Sequence, residues 1–210
     1  MKGSVMRIMV MVVWVTFALS AIAVAEETNS AKELLKNKLD AVLVVIQKKD
    51  LALEAKKEEI IAIVTPVFDF SLMSKLTIGK KHWIGLPPEK RDRFTELFVE
   101  FLKKTYLDAI TLYTNEKVVY GESVHIKNKV HIPTELITKD NAYRMLYKFY
   151  KSKQGWKIYD VEIQGVSLIR TYRSQFDSVL RKGTIDDLIL KLEKHEINKP
   201  KPLTDSKQST

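Results

Sequence analysis

Downstream of about residue 117 the spacing of apolar residues changes from about 3.6 to 2, and this switch limits what the chain can fold into more than any other feature. Upstream, after Pro87-Pro88-Glu89, the residues Phe94, Leu97, Phe98, Phe101, Leu102 and Thr105 form one helical stripe, extended by Ala109, Ile110 and Tyr113. Arg91, Arg93, Glu96, Glu100, Lys103 and Asp108 fall mostly on the opposite side, as a helix lying on a core requires. Downstream, Val118 to Tyr120, Val124 to Ile126 and Val130, Ile132, Thr134 and Leu136 alternate, with turns predicted at Asn128-Lys129 and at Lys139-Asp140-Asn141. A strand over Tyr143 to Tyr150 follows, and Gln154-Gly155 turns the chain into a strand over Trp156 to Ile163. Strands joined by turns this short are antiparallel. After Gly165 the helical period returns with Leu168, Ile169, Tyr172, Phe176, Val179 and Leu180. Helices, then antiparallel strands, then helices make an α+β single domain, with helices packed on one face of a curved sheet.

The remaining elements follow from local chemistry. Ser30-Ala31-Lys32-Glu33 reads as a capping box that opens a first helix running to about Lys48. A second helix spans about Leu53 to Val64 with Ile60, Ile61 and Val64 inward, and Pro66 breaks it. Gly183 is expected to stop the helix that begins near Leu168, Thr184 to cap another, and the chain to fray from Ile197 through Pro200 and Pro202.

At the N-terminus, Lys2 and Arg7 precede an apolar run over residues 8–19, too short to span a bilayer comfortably. Ala23-Val24-Ala25 then offers a signal-peptidase pattern, so residues 1–25 are expected to be a cleaved signal peptide. The expected division is a signal peptide over 1–25, one domain over 26–196 and a disordered tail over 197–210. Thirty-five Lys and Arg against 26 Asp and Glu give +9, and loss of Lys2 and Arg7 leaves +7. That balance suits nucleic acid, anionic lipid or an acidic protein. Export argues against nucleic acid. The chain has no cysteine, which excludes disulfides, thiolate metal sites, a cysteine nucleophile and a lipid-anchored cysteine.

Catalysis has no support in the motifs. The four histidines His82, His125, His131 and His195 lack metal-ligand spacing, and there is no nucleophile elbow, phosphate loop or spaced carboxylate pair. No metal and no cofactor are expected. Asp69, between Phe68 and Phe70, reads as a helix N-cap before any site role, and Asp160 as a satisfied acceptor or a bulge before a catalytic base. The strand bearing Tyr143, Met145, Tyr147 and Phe149 opposes a Phe-rich helix stripe, a pattern that suits either plain core or the wall of an apolar cavity.

The stretch from Trp156 through Asp160, Gly165 and Ser167 to Leu168, followed by Tyr172-Arg173-Ser174-Gln175-Phe176, resembles the signature of the MlaC family, also called the toluene-tolerance auxiliary family. Phe68-Asp69-Phe70, Gly79 with Trp83, Leu86 through the helix start at Glu89 to Phe94, and Lys104-Thr105-Tyr106 extend the resemblance over about residues 33–195. It departs at Pro87, where similar proteins carry Ser or Thr as the helix cap.

The resemblance implies a nuclear-transport-factor-like fold with an apolar lipid cavity between sheet and helices. It also implies a monomeric periplasmic carrier of phospholipid that maintains outer-membrane lipid asymmetry. Its partners would be an outer-membrane lipoprotein-porin complex and an inner-membrane ABC transporter with an MCE-domain subunit. The side chains expected at the lipid are Phe101, Tyr106, Ile110, Val130, Ile132, Met145, Tyr147 and Phe149, each on the apolar stripe of its element. Arg144, Lys148, Arg170 and Arg173 are expected to flank the cavity mouth and meet partners. Two alternatives are a small-molecule enzyme on the same curved sheet and an envelope interaction module without ligand; the enzyme needs a polar acid/base pair inside the cone, where the inward candidates are apolar.

Overall fold

A computed structural model of the chain describes residues 28–111, 117–139 and 141–198, with every side chain of the long helix but that of Ala109. The expected signal peptide, Tyr113, Asp140 and the tail from residue 199 lie outside the described residues. Helix α1 covers 28–47, followed by α2 (Leu53–Val64), a 3₁₀ turn (Thr65–Val67), α3 (Phe70–Gly85) and α4 (Pro88–Thr111). The strands are β1 (Lys117–Tyr120), β2 (Val124–Ile126), β3 (Lys129–Ile137), β4 (Ala142–Ser152), β5 (Gly155–Ile163) and β6 (Val166–Ser167). Helices α5 (Leu168–Leu180) and α6 (Ile185–Glu193) close the fold.

The fold is α+β, and its curved, open antiparallel sheet runs in the order β1-β3-β4-β5-β6, with β2 also paired to β3. Strands β1 and β2 share one edge of β3: Tyr120 lies opposite Thr134, and Val124 opposite His131. Pro133 falls where β3 changes partner, a position that tolerates a missing N–H, and its carbonyl accepts from Gly121 N at 2.9 Å. A Cβ on Gly121 would meet Pro133 Cγ at 2.9 Å, so the close crossing requires glycine. In β5, Tyr159 is the extra residue of a bulge, since Lys148 pairs with Asp160 and Phe149 with Ile158.

Three apolar clusters hold these elements. Helices α3 to α6 enclose an aromatic core in which Phe98 lies edge-on to Tyr172 and Phe176 with ring centroids 5.5 and 5.6 Å apart. The inner sheet face, with Val130, Ile132, Phe149 and Ile158, packs on Ala31 and Leu35 of α1 and on Val67. A smaller cluster of Val42, Val45, Ile46 and Ile60 joins the end of α1 to α2 and touches Leu107 and Ile110 of α4.

Several local expectations change. Ser30 does not cap α1, which is already helical at residue 28; its hydroxyl instead accepts from Trp156 Nε1 at 2.9 Å. The turn after β2 is centred on Lys127, at φ 57°, one residue before the predicted position. Gly183 does not end α5, which stops at Leu180; it sits where a Cβ would lie 2.6 Å from the Asp187 carboxylate, the group that completes the Thr184 capping box of α6. Ile197, placed in the tail by its neighbouring prolines, is buried in the helical core, so packing extends through it. Helix α3 had no clean periodicity because Gly79 kinks it, at φ 79° and ψ 156°.

Candidate functional site

The period of β4 sends Tyr147 to the inner face, and β5 adds Val161 and Ile163 beside it. Opposite them α4 presents Val99, Leu102, Tyr106 and Ile110, and α2 presents Ile61 and Val64. Phe68, Phe70 and Met73, with Leu168 of α5, add to the lining. These walls bound a cavity of about 190 Å³ in which, among the described residues, Lys103 is the single charged lining residue. Phe68 and Phe70 stack with ring centroids 5.5 Å apart. Tyr106 reaches Tyr172, hydroxyl to hydroxyl at 3.1 Å, and burial raises the pKa of both phenols, so they stay neutral.

Of the eight side chains singled out for lipid contact, Tyr106, Ile110 and Tyr147 line this cavity. Phe101 instead packs in the helical core, and Val130, Ile132 and Phe149 in the core under α1. Met145 is half-buried beside the second cluster. The lining residues that the sequence does not single out are those of α2 and α3, above all Ile61, Phe70 and Met73; the spacing turns Ile61 inward and Phe70 belongs to the Phe68-Asp69-Phe70 motif, but nothing in a single sequence places them opposite β5.

The four basic residues do not gather at one mouth. Arg144 and Lys148 alternate with Met145, Tyr147 and Phe149, so they lie on the sheet face opposite the cavity. There Lys148 Nζ is held by Asp160 at 3.0 Å and Glu162 at 2.5 Å, and its side chain is 14% exposed. Burial pulls the Lys148 pKa down, but the hydrogen bonds to Glu162 and Asp160 outweigh it and raise the net value. Arg170 Nη2 reaches the same Glu162 at 3.1 Å. Arg144 and Arg173 are exposed, Arg173 alongside the kink at Gly79.

The acidic residues weighed for chemistry serve the frame. Asp69 caps α3 through Leu72 N at 2.8 Å and accepts the Tyr150 hydroxyl, whose pKa is pushed up to about 12 by burial and then by that carboxylate. Asp160 accepts from Ser167 Oγ at 2.7 Å and Ile169 N at 3.2 Å, pinning the start of α5 to β5 beside the bulge. Ser167 in turn caps α5 through Arg170 N at 3.1 Å. Among the described residues, no three His, Cys, Asp or Glu side chains stand close enough to hold a metal ion. The match to known proteins falls on this same frame: the family model for MlaC protein covers residues 36–194.

The chain belongs to the MlaC family.

It is 28% identical over 112 residues to the intermembrane phospholipid transport system binding protein MlaC of Haemophilus influenzae, covering 50% of this chain and 52% of that relative. The alignment thus spans about half the length of that curated relative. Toluene tolerance protein ttg2D of Pseudomonas putida is 26% identical over 147 residues, covering 69% of this chain and 68% of the relative. Among solved structures, the phospholipid-binding protein from Ralstonia solanacearum, in complex with a phospholipid, superposes with a TM-score of 0.72 at 25% identity, over 78% of this chain and 95% of that one. The signature that carried the MlaC resemblance is now legible as structure: Trp156 ties α1, Asp160 and Ser167 launch α5, and Tyr172 fills the helical core.

Proposed function

We propose that this protein is a phospholipid carrier that shields acyl chains between its sheet and helices and moves them across the periplasm between outer-membrane and inner-membrane complexes. The observation that carries this reading is the almost wholly apolar cavity bounded by α2, α4 and β5 in a chain of the MlaC family, with relatives whose names state phospholipid transport or binding. Burying one CH₂ is worth about 0.8 kcal/mol, so a single long chain gains on the order of 12 kcal/mol before entropy costs. A cavity of about 190 Å³ is smaller than the roughly 300–1,000 Å³ of pockets that enclose drug-sized ligands. A two-chain lipid therefore needs more room than this cavity offers, and its entry requires the walls to part.

In this reading residues 1–25 are the signal peptide that exports the carrier, the chain from residue 26 through Ile197 acts as one lipid-binding domain, and partners recognise Arg144 and Arg173 on the surface. The carrier needs no cofactor and performs no chemistry on its cargo. Organic-solvent extraction of the purified protein followed by lipid mass spectrometry tests the reading: stoichiometric phospholipid supports it. Failure of folded, delipidated protein to take labelled phospholipid from vesicles sinks it.

A further inference from the structure

Among the described residues, the inner sheet face carries three hydroxyls without proper partners, one of them, on Tyr147, in the cavity wall. Tyr120 of β1 lies directly across from Thr134 of β3, and Thr134 directly across from Met145 of β4. Residues opposite each other share a face, and Met145 and Tyr147 share it too, being two apart on one strand. Thr134 is 4% exposed and, among the described residues, its Oγ1 has no hydrogen-bond partner; Tyr120 is half-buried, and its hydroxyl has none among them either. The Tyr147 hydroxyl, on a side chain 8% exposed, finds only the Met145 sulfur at 3.6 Å, a weak acceptor. Tyr147 is also the β4 residue in the cavity wall, and Ile163, across from Met145 on β5, is another part of that wall.

Buried hydroxyls are rarely left unpaired, because they lose water without replacing it. Three of them together, on the sheet side of an apolar cavity, call for a ligand group that brings acceptors. A hydrocarbon tail brings none. Burial pushes the Tyr120 phenol up to about 12 and the Tyr147 phenol higher still, so both remain hydrogen-bond donors at any physiological pH.

We propose that Tyr120, Thr134 and Tyr147 form a polar seat beside the cavity that donates hydrogen bonds to the carboxylic-ester carbonyls of a two-chain lipid. The seat rests on the carrier reading and adds a selection that burial of tails alone does not supply: lipids whose chains are ester-linked are held in preference to lipids of the same shape whose chains are not. It also fixes the cargo's depth, since the ester groups must stop at the row of Tyr120, Thr134 and Met145.

The test is competition for delipidated protein between dipalmitoyl phosphatidylethanolamine and its di-O-hexadecyl ether analogue, presented in mixed vesicles and read by mass spectrometry. The two lipids share headgroup and chain length and differ in the carbonyls. The expected result is a preference for the diester of roughly fivefold or more, falling toward one in the Tyr120→Phe/Thr134→Val variant. Equal uptake of the two lipids by the unmodified protein overturns the seat and leaves the carrier reading standing, the hydroxyls then being met by water. Uptake of neither overturns both. A preference that survives the double substitution also overturns the seat, and where that variant does not melt cooperatively, Tyr120→Phe alone, which removes one half-buried oxygen, answers the same question.

Discussion

Replacing Asp160 by alanine should cost the protein about 3–5 kcal/mol of stability, the range for removing one partner of a buried charge pair. The carboxylate is almost fully buried and holds three groups at once: Lys148 Nζ at 3.0 Å, Ser167 Oγ at 2.7 Å and Ile169 N at 3.2 Å. Its loss leaves an ammonium with only Glu162, a buried hydroxyl without its acceptor and the first turn of α5 detached from β5. For a chain of this size, each kcal/mol lowers the melting temperature by roughly 2–4 °C, so the shift should be on the order of 10 °C. Asp160→Asn keeps an acceptor oxygen and should lose less, about 1–3 kcal/mol. Urea unfolding followed by circular dichroism measures both. The folded pKa of Lys148 is raised, so its contribution is fully present below the unfolded value of 10.5 and is lost as pH rises through the higher folded value. The gap between unmodified protein and Lys148→Met should therefore be constant at neutral pH and narrow only above about 10.5. An Asp160→Ala variant within about 1 kcal/mol of the parent, or one equally stable but unable to hold lipid, would refute the structural role assigned here.

Gly79→Ala should cost about 1–3 kcal/mol by urea unfolding, because φ 79° with ψ 156° is a conformation open to glycine alone; a neutral substitution would mean that the kink is not needed. His131 has its pKa lowered, first by burial and then by Lys148, so its NMR titration midpoint should lie below 6.5. Its contribution to stability is present above that value and lost as pH falls through the folded one; a midpoint at or above 6.5 contradicts this. Val161→Trp, which fills the cavity from β5, should cut phospholipid uptake from vesicles at least tenfold while the far-ultraviolet spectrum stays unchanged; undiminished uptake would place the cargo elsewhere. Thr184→Ala removes half of a capping box and should cost about 1 kcal/mol, read as a small fall in melting temperature with lipid uptake preserved.

The elements that were legible in advance are those with an uninterrupted period. Helix α4 and strands β3 and β4 repeat their apolar residues without a break, β5 does so on either side of its bulge at Tyr159, and each lies within a few residues of its expected bounds. Helix α3 was not legible, because the kink at Gly79 rotates one half against the other and no single stripe survives. The start of α4 is legible as helical, but the role of Arg91 in its first turn is not: its side chain turns back over Trp83, with its charged carbon 5.8 Å from the ring centroid, and donates to the Trp83 and Ile84 carbonyls at 3.0 and 3.1 Å. A residue read as solvated charge thus closes the end of α3, a long-range use that spacing within one helix cannot disclose.

The cavity shows a deeper limit of the same kind. Phe101 and Tyr106 both lie on the wide apolar side of α4, yet the first is locked among Tyr172 and the helical core while the second lines the cavity. Periodicity reports only which side of a helix avoids water, and a packed core and a cavity wall avoid it equally. What separates them is the element that arrives opposite. Against Phe101 stands α5, whose Tyr172 ring meets it edge-on; against Tyr106 and Ile110 stand β5 and α2. The segment between α2 and α3 is itself fastened to β5, Asp69 N donating to the Ile158 carbonyl at 2.9 Å and Lys157 Nζ to the Pro66 carbonyl at 2.6 Å, so which α4 residues face volume and which face packed rings is decided by long-range bonds that no single period carries.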